Sequence, residues 1–94
     1  MSSSRAVSNE NPQELVLYHF VMCPFCMMVR RKIDALDAPV ELRDTRVDPA
    51  NRDELIAGGG KPQVPCLRIT DQQGHTQWLY ESADINRYLD QLYG

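Results

Sequence analysis

Leu15-Val16-Leu17-Tyr18-His19-Phe20-Val21-Met22-Cys23-Pro24-Phe25-Cys26-Met27-Met28-Val29 is an apolar run that carries two cysteines separated by two residues. Residues 15 to 20 are mostly aliphatic, β-branched or aromatic and suit a buried strand. From Pro24 onward apolar residues recur at Phe25, Val29, Ile33 and Leu36, which is helical spacing. Two cysteines, Cys23 and Cys26, therefore fall where a strand becomes a helix. Proline is tolerated in a helix's first turn, because the N–H it lacks would have no partner there, so Pro24 marks the helix start and leaves Cys23 at the cap. Unpaired amides and aligned peptide dipoles at that place favour a thiolate over a thiol. Cys23 is then expected to be an exposed attacking thiol, with Cys26, one turn further in, the more buried thiol that resolves the mixed disulfide.

C-x-x-C is also half of a structural zinc site, but such a site needs four ligands, and the chain offers only Cys66, His19 and His75 besides. There is no second C-x-x-C and no closely spaced histidine pair, so the main reading contains no metal. Composition narrows the rest. Ninety-four residues make one small domain, and 43% hydrophobic with 24% charged residues is ordinary for a globular protein. A formal net charge of −3 gives no electrostatic reason to expect nucleic acid, and no apolar run is long enough to span a bilayer. Three cysteines without a secretory signal argue for a reducing compartment, so a cytoplasmic location is expected.

Met1 to Gln13 is Ser, Asn, Glu and Pro with little to bury, and is expected to be a disordered leader to a domain spanning residues 14–94. The first strand runs Glu14–Phe20 and the first helix Pro24–Leu36, with Arg30-Arg31-Lys32 on a solvated face in the half where cations suit the dipole. Asp37-Ala38-Pro39 stops that helix, and Val40–Arg43 alternates as a strand with one buried face would. Asp48-Pro49 caps and opens a short helix that Gly58-Gly59-Gly60 ends. Gln63–Ile69 and Thr76–Tyr80 form a hairpin around the turn Asp71–Gly74, with Leu67 and Ile69 on one face and Cys66 and Arg68 on the other. Ser82 then caps a last helix whose apolar stripe is Ile85, Tyr88, Leu89 and Leu92. The order β-α-β-α-β-β-α predicts an α/β fold, with the first two strands parallel through a right-handed crossover and the cysteines at the carboxyl end of the first strand, where ligands of open α/β sheets bind.

Cys23-Pro24-Phe25-Cys26 after a strand, Val64-Pro65 opening another, and Glu81-Ser82 before the last helix resemble a glutaredoxin. Lys61-Pro62-Gln63-Val64-Pro65 and Glu81-Ser82-Ala83-Asp84-Ile85 are most similar to the thioredoxin-like half of the larger glutaredoxins built like glutathione transferases, over about Leu15 to Gly94. The resemblance implies a thioredoxin-like fold, a four-stranded mixed sheet flanked by three helices, and a cis peptide bond before Pro65. It implies a redox-active disulfide between Cys23 and Cys26, with glutathione as cosubstrate, acting on protein disulfides or protein–glutathione mixed disulfides as a monomer. It also implies a glutathione site made by Phe25, Lys61, Val64, Pro65, Glu81 and Ser82, with the Val64 backbone on the cysteinyl part and Glu81-Ser82 on the γ-glutamyl end.

Without the resemblance, Ser82 is simply an N-cap and Glu81 a surface residue. Smaller glutaredoxins carry a lysine three residues before the first cysteine, where this chain has Phe20, and Lys61 is the expected replacement. His19 and Trp78 read as packing residues, and Cys66 as a strand cysteine with an open redox role. The alternative function is binding or transfer of a [2Fe–2S] cluster through Cys23 and glutathione, against which the ready resolving thiol Cys26 argues.

Overall fold

A computed structural model describes residues 11–94. The strands are β1 (Glu14–His19), β2 (Glu41–Asp44), β3 (Cys66–Thr70) and β4 (Thr76–Leu79); the helices are α1 (Pro24–Leu36), α2 (Pro49–Gly59) and α3 (Ser82–Tyr93). They follow one another as β1-α1-β2-α2-β3-β4-α3 and form a sheet of order β2-β1-β3-β4. β1 is parallel to β2, pairing Val16 with Glu41, and antiparallel to β3, pairing Leu17 with Leu67. β4 pairs antiparallel with β3 at the far edge. This is the expected mixed sheet with three helices, consistent with a thioredoxin-like fold. The leader expected over residues 1–13 lies outside the described residues as far as residue 10; the Gln13 amide donates to the Thr70 carbonyl at 2.7 Å and continues the ladder.

Side-chain alternation along β1 divides the molecule into two layers. Leu15 and Leu17 join Leu67 and Ile69 in a core closed by Val29 and Ile33 of α1 and Ile85, Tyr88 and Leu89 of α3. Val16 and Tyr18 face the opposite way and meet Leu55 of α2, Cys66 and the half-buried Trp78. β2 departs from the expected pattern: it starts one residue later than Val40 and, as an edge strand, leaves Leu42 exposed instead of burying it.

Local chemistry sets the helix boundaries. Cys23 and Asp48 are the N-caps of α1 and α2, each accepting a hydrogen bond from an amide of the first turn, and each is followed by proline. α3 differs. Its N-cap is Glu81, not the expected Ser82, and the Glu81 side chain makes no capping bond, so Ser82 is the first helical residue. Gly60, at φ 96°, takes the left-handed conformation that ends α2. Gly58 and Gly59 serve a different end from the expected turn, because a Cβ at Gly58 would overlap the Trp78 ring and one at Gly59 the Tyr80 hydroxyl. The glycines let α2 lie directly on two aromatic rings. Among the described residues, no helix is long and apolar enough to cross a membrane.

Candidate active site

β1 ends at His19 and the chain turns through Phe20-Val21-Met22 into α1, with the Cys23 amide donating to the Phe20 carbonyl at 3.2 Å. Cys23 is thereby delivered to the helix start, where its Sγ accepts the Cys26 amide at 3.3 Å. The sequence predicted an exposed Cys23, yet only 7% of it is accessible. Cys26 is fully buried, and burial, followed by the hydrogen bond with Cys23, pushes its thiol up to about 12. The two sulfurs therefore have unlike surroundings: one meets a backbone donor at a helix N-terminus, and the other sits protonated in an apolar interior.

The loop between α2 and β3 supplies the second wall. Its Val64–Pro65 bond is cis, as expected. Phe25, Gln63, Val64, Pro65, Tyr80, Glu81 and Ser82 together line a cleft of about 160 Å³. Three elements thus converge: the first turn of α1, the loop carrying the cis bond, and the start of α3. At α3 the first amides have no side-chain cap, whereas α1 and α2 each do. An uncapped helix N-terminus presents free N–H groups and the positive end of the peptide dipoles, a combination that suits a carboxylate.

The family described as glutathione S-transferase, N-terminal domain, matches residues 17–94. The chain belongs to that family. No curated protein sequence matches it at a significant level. Among solved structures, a glutathione S-transferase of Drosophila melanogaster is 28% identical with a TM-score of 0.64, over 86% of this chain and 35% of that one. Maleylacetoacetate isomerase of Anaeromyxobacter dehalogenans, solved with dicarboxyethyl glutathione and citrate in its active site, is 25% identical with a TM-score of 0.61, over 82% of this chain and 35% of that one. The chain therefore spans about a third of the length of these two structures. A glutaredoxin of Brucella melitensis, 16% identical with a TM-score of 0.54 over 84% of this chain and 80% of its own, shares the fold.

Within this glutathione S-transferase N-terminal fold, Phe25, Val64, Pro65, Glu81 and Ser82 come together on one cleft, beside the helix that carries both cysteines. Lys61 does not line it. Its carbonyl accepts the Tyr80 hydroxyl at 3.0 Å and its ammonium lies 4.6 Å from the centre of the Tyr80 ring, so it stands behind a wall residue. Cys66 points to the α2 layer, fully buried, and burial pushes its thiol up to about 12 even with the Tyr80 hydroxyl beside it. His19 and Trp78 pack as expected, the first 5% exposed and the second with its ring 5.7 Å from that of Tyr18.

Gln63 and Tyr80 were missed as cleft residues. Each directly precedes a singled-out pair, Val64-Pro65 or Glu81-Ser82, and that adjacency was the available signal. Arg46 was also missed. Its guanidinium lies 3.8 Å from the centre of the Phe20 ring, so a cation stands over the position where smaller glutaredoxins carry lysine. Nothing in the local sequence joins residues 20 and 46. Among the described residues no group of three or more His, Cys, Asp or Glu side chains is placed to hold a metal ion.

Proposed function

We propose that this chain is a glutathione-dependent thiol–disulfide oxidoreductase of the glutaredoxin kind, reducing protein disulfides or protein–glutathione mixed disulfides. The observation that carries the reading is a cleft walled by Phe25, the residue between Pro24 and Cys26 in the first turn of α1, and by the uncapped N-terminus of α3; neither cysteine itself lines it. Glutathione has a carboxylate for that helix end, where the Ser82 hydroxyl is not engaged in capping, and Glu81 beside it suits the γ-glutamyl ammonium. The Val64 backbone, next to the cis bond, is assigned to the cysteinyl part. Lys61, the expected partner of the glycyl carboxylate, lies outside the cleft against the Tyr80 ring and is assigned no contact with glutathione. That a relative of 25% identity holds a glutathione derivative in its active site supports the same ligand here.

In the proposed reaction the Cys23 thiolate attacks the glutathione sulfur of a mixed disulfide. A Cys23–glutathione disulfide forms and the protein thiolate leaves. A second glutathione thiolate then attacks the glutathione sulfur of that disulfide, releasing glutathione disulfide and restoring Cys23. With a protein disulfide, Cys23 forms a mixed disulfide with the substrate, and Cys26 gives up its proton and attacks the Cys23 sulfur. The substrate leaves as a dithiol, and two glutathione molecules reduce the Cys23–Cys26 disulfide. Burial, which raises the Cys26 thiol, supports giving the attack to Cys23 and the later step to Cys26.

A glutathione-coupled assay on the purified chain tests this. Cys23→Ser is expected to abolish all turnover, whereas Cys26→Ser keeps deglutathionylation, which needs one protein thiol, and loses reduction of substrates that require an intramolecular disulfide. Equal loss in both variants contradicts the roles. Absence of turnover in the folded, reduced parent chain contradicts the activity.

A further inference from the structure

The sequence assigned Arg30-Arg31-Lys32 to a solvated face, but only Arg31 is exposed. Lys32 donates to both carboxylate oxygens of Asp90 on α3, at 3.0 and 3.1 Å. Arg30 is half-buried and turns back along its own helix. Its Nη1 donates to the Phe20 carbonyl at 3.3 Å and its Nη2 to the Val21 carbonyl at 3.1 Å, while Nη1 also lies 3.1 Å from His19 Nδ1. Guanidinium carries only donors, so His19 Nδ1 must be the acceptor of that contact, which fixes the imidazole as the tautomer protonated on Nε2.

These bonds converge on the segment that determines where Cys23 points. The Phe20 carbonyl accepts the Cys23 amide as well as Arg30, so one oxygen joins the turn, the cap residue and the helix. Packing does little to hold this turn, since Val21 is 57% and Met22 78% exposed. A planar fork that reaches two successive carbonyls supplies what packing does not. Lysine, a single point donor, can reach one of them.

We propose that Arg30 is a positioning residue: by clamping the carbonyls of Phe20 and Val21 it holds the turn that keeps the Cys23 sulfur on the Cys26 amide. It acts through the backbone and touches neither the sulfur nor the cleft. The proposal rests on Cys23 being the attacking thiol of the function proposed above, and its test uses readouts that need no glutathione.

The full chain carrying Arg30→Met, and separately Arg30→Lys, would be compared with the parent for Cys23 alkylation by iodoacetamide at neutral pH and for amide hydrogen exchange. In Arg30→Met, alkylation is expected to slow about ten-fold, as losing charge-assisted bonds of this kind implies. The Cys23 and Cys26 amides should exchange at least about ten-fold faster, while Val29, Ile33 and Leu67 keep parent rates. Arg30→Lys should recover part of both effects. In the coupled assay the kcat should fall while the KM for glutathione holds, because Arg30 does not line the cleft. Parent-like alkylation and exchange at Cys23 in Arg30→Met would overturn the proposal. So would uniformly faster exchange across α1 and the sheet, which would make the arginine a general support of the fold. A local effect at Cys23 in a parent chain without glutathione turnover would leave this proposal standing and sink the functional one.

Discussion

On the α1/α3 face of the sheet, Leu15, Leu17, Leu67 and Ile69 meet Val29, Ile33, Ile85, Tyr88 and Leu89, an apolar layer closed by two helices. On the α2 face, Val16, Tyr18 and Cys66 meet only Leu55 from the helix, and polar groups complete the layer. There the fully buried Tyr18 donates its hydroxyl to Glu54 at 3.0 Å and accepts Arg68 at 3.1 Å, while Arg43 bridges Glu54 and Glu41 at 2.7 Å each. Trp78 and Tyr80 press against the glycines of α2 in place of interlocking side chains. Stability is thus concentrated on the face that carries the cysteine helix, whereas the other face uses bonds and close approach to locate a loop. The cleft lies where the two meet, one wall anchored on each layer.

The contrast can be broken most forcefully in the apolar layer. Leu67→Ala removes a fully buried side chain between two helices and is expected to cost about 2–5 kcal/mol in urea unfolding. A loss under about 1 kcal/mol would mean that this layer is not the main store of stability. Gly58→Ala probes the other layer. Its methyl must displace the Trp78 ring, which is half-buried and can yield in part, so the expected cost is about 1–3 kcal/mol. The change should also disturb the following loop, seen as altered amide shifts at Gln63 and Val64, and an unchanged spectrum there would separate α2 packing from the cleft.

Acid acts on the polar side of the α2 layer, with a smaller effect. The hydrogen bond from Arg43 holds the Glu41 carboxyl below its ordinary range. Glu54, which partial burial alone would raise, is brought below its range by hydrogen bonds from Arg43 and Tyr18. A carboxyl depressed in the folded state contributes stability above the unfolded carboxylate range, and that contribution is lost as pH falls through the folded value. Both carboxylates are about half-exposed, so the loss is screened and small. Arg43→Met should make the urea midpoint less sensitive to acidification, and an unchanged acid dependence would remove Arg43 from the account of the α2 layer.

Strand-to-helix periodicity around Cys23 and proline at two helix starts were enough to read seven elements in their correct order, because both signals are local. What the sequence concealed was tertiary. Gly58 and Gly59 read as a helix end, since nothing near them in the chain announces the rings of Trp78 and Tyr80. Arg30 read as solvated because it belongs to a run of three cations, which says nothing of a side chain folding back toward the preceding turn. The cap of α3 moved from Ser82 to Glu81, against the usual preference for serine, which leaves the helix end without a side-chain cap. Phe25, Val64, Pro65, Glu81 and Ser82 were singled out from a resemblance carried by short motifs, and the geometry that gathers them joins three elements far apart in the chain, which spacing does not encode.

If the cleft between the Val64–Pro65 loop and the start of α3 seats glutathione beside Cys23, the ligand must perturb the amides around that cleft. Titrating reduced glutathione into the isotope-labelled Cys23→Ser chain, with amide shifts followed residue by residue, tests it without requiring turnover. Saturable shifts are expected, centred on Val64, Ser82, Ala83 and Phe25, with the α2 residues Asp53 to Ala57 unmoved. A folded chain showing no saturable shift, or shifts centred away from these residues, would contradict it.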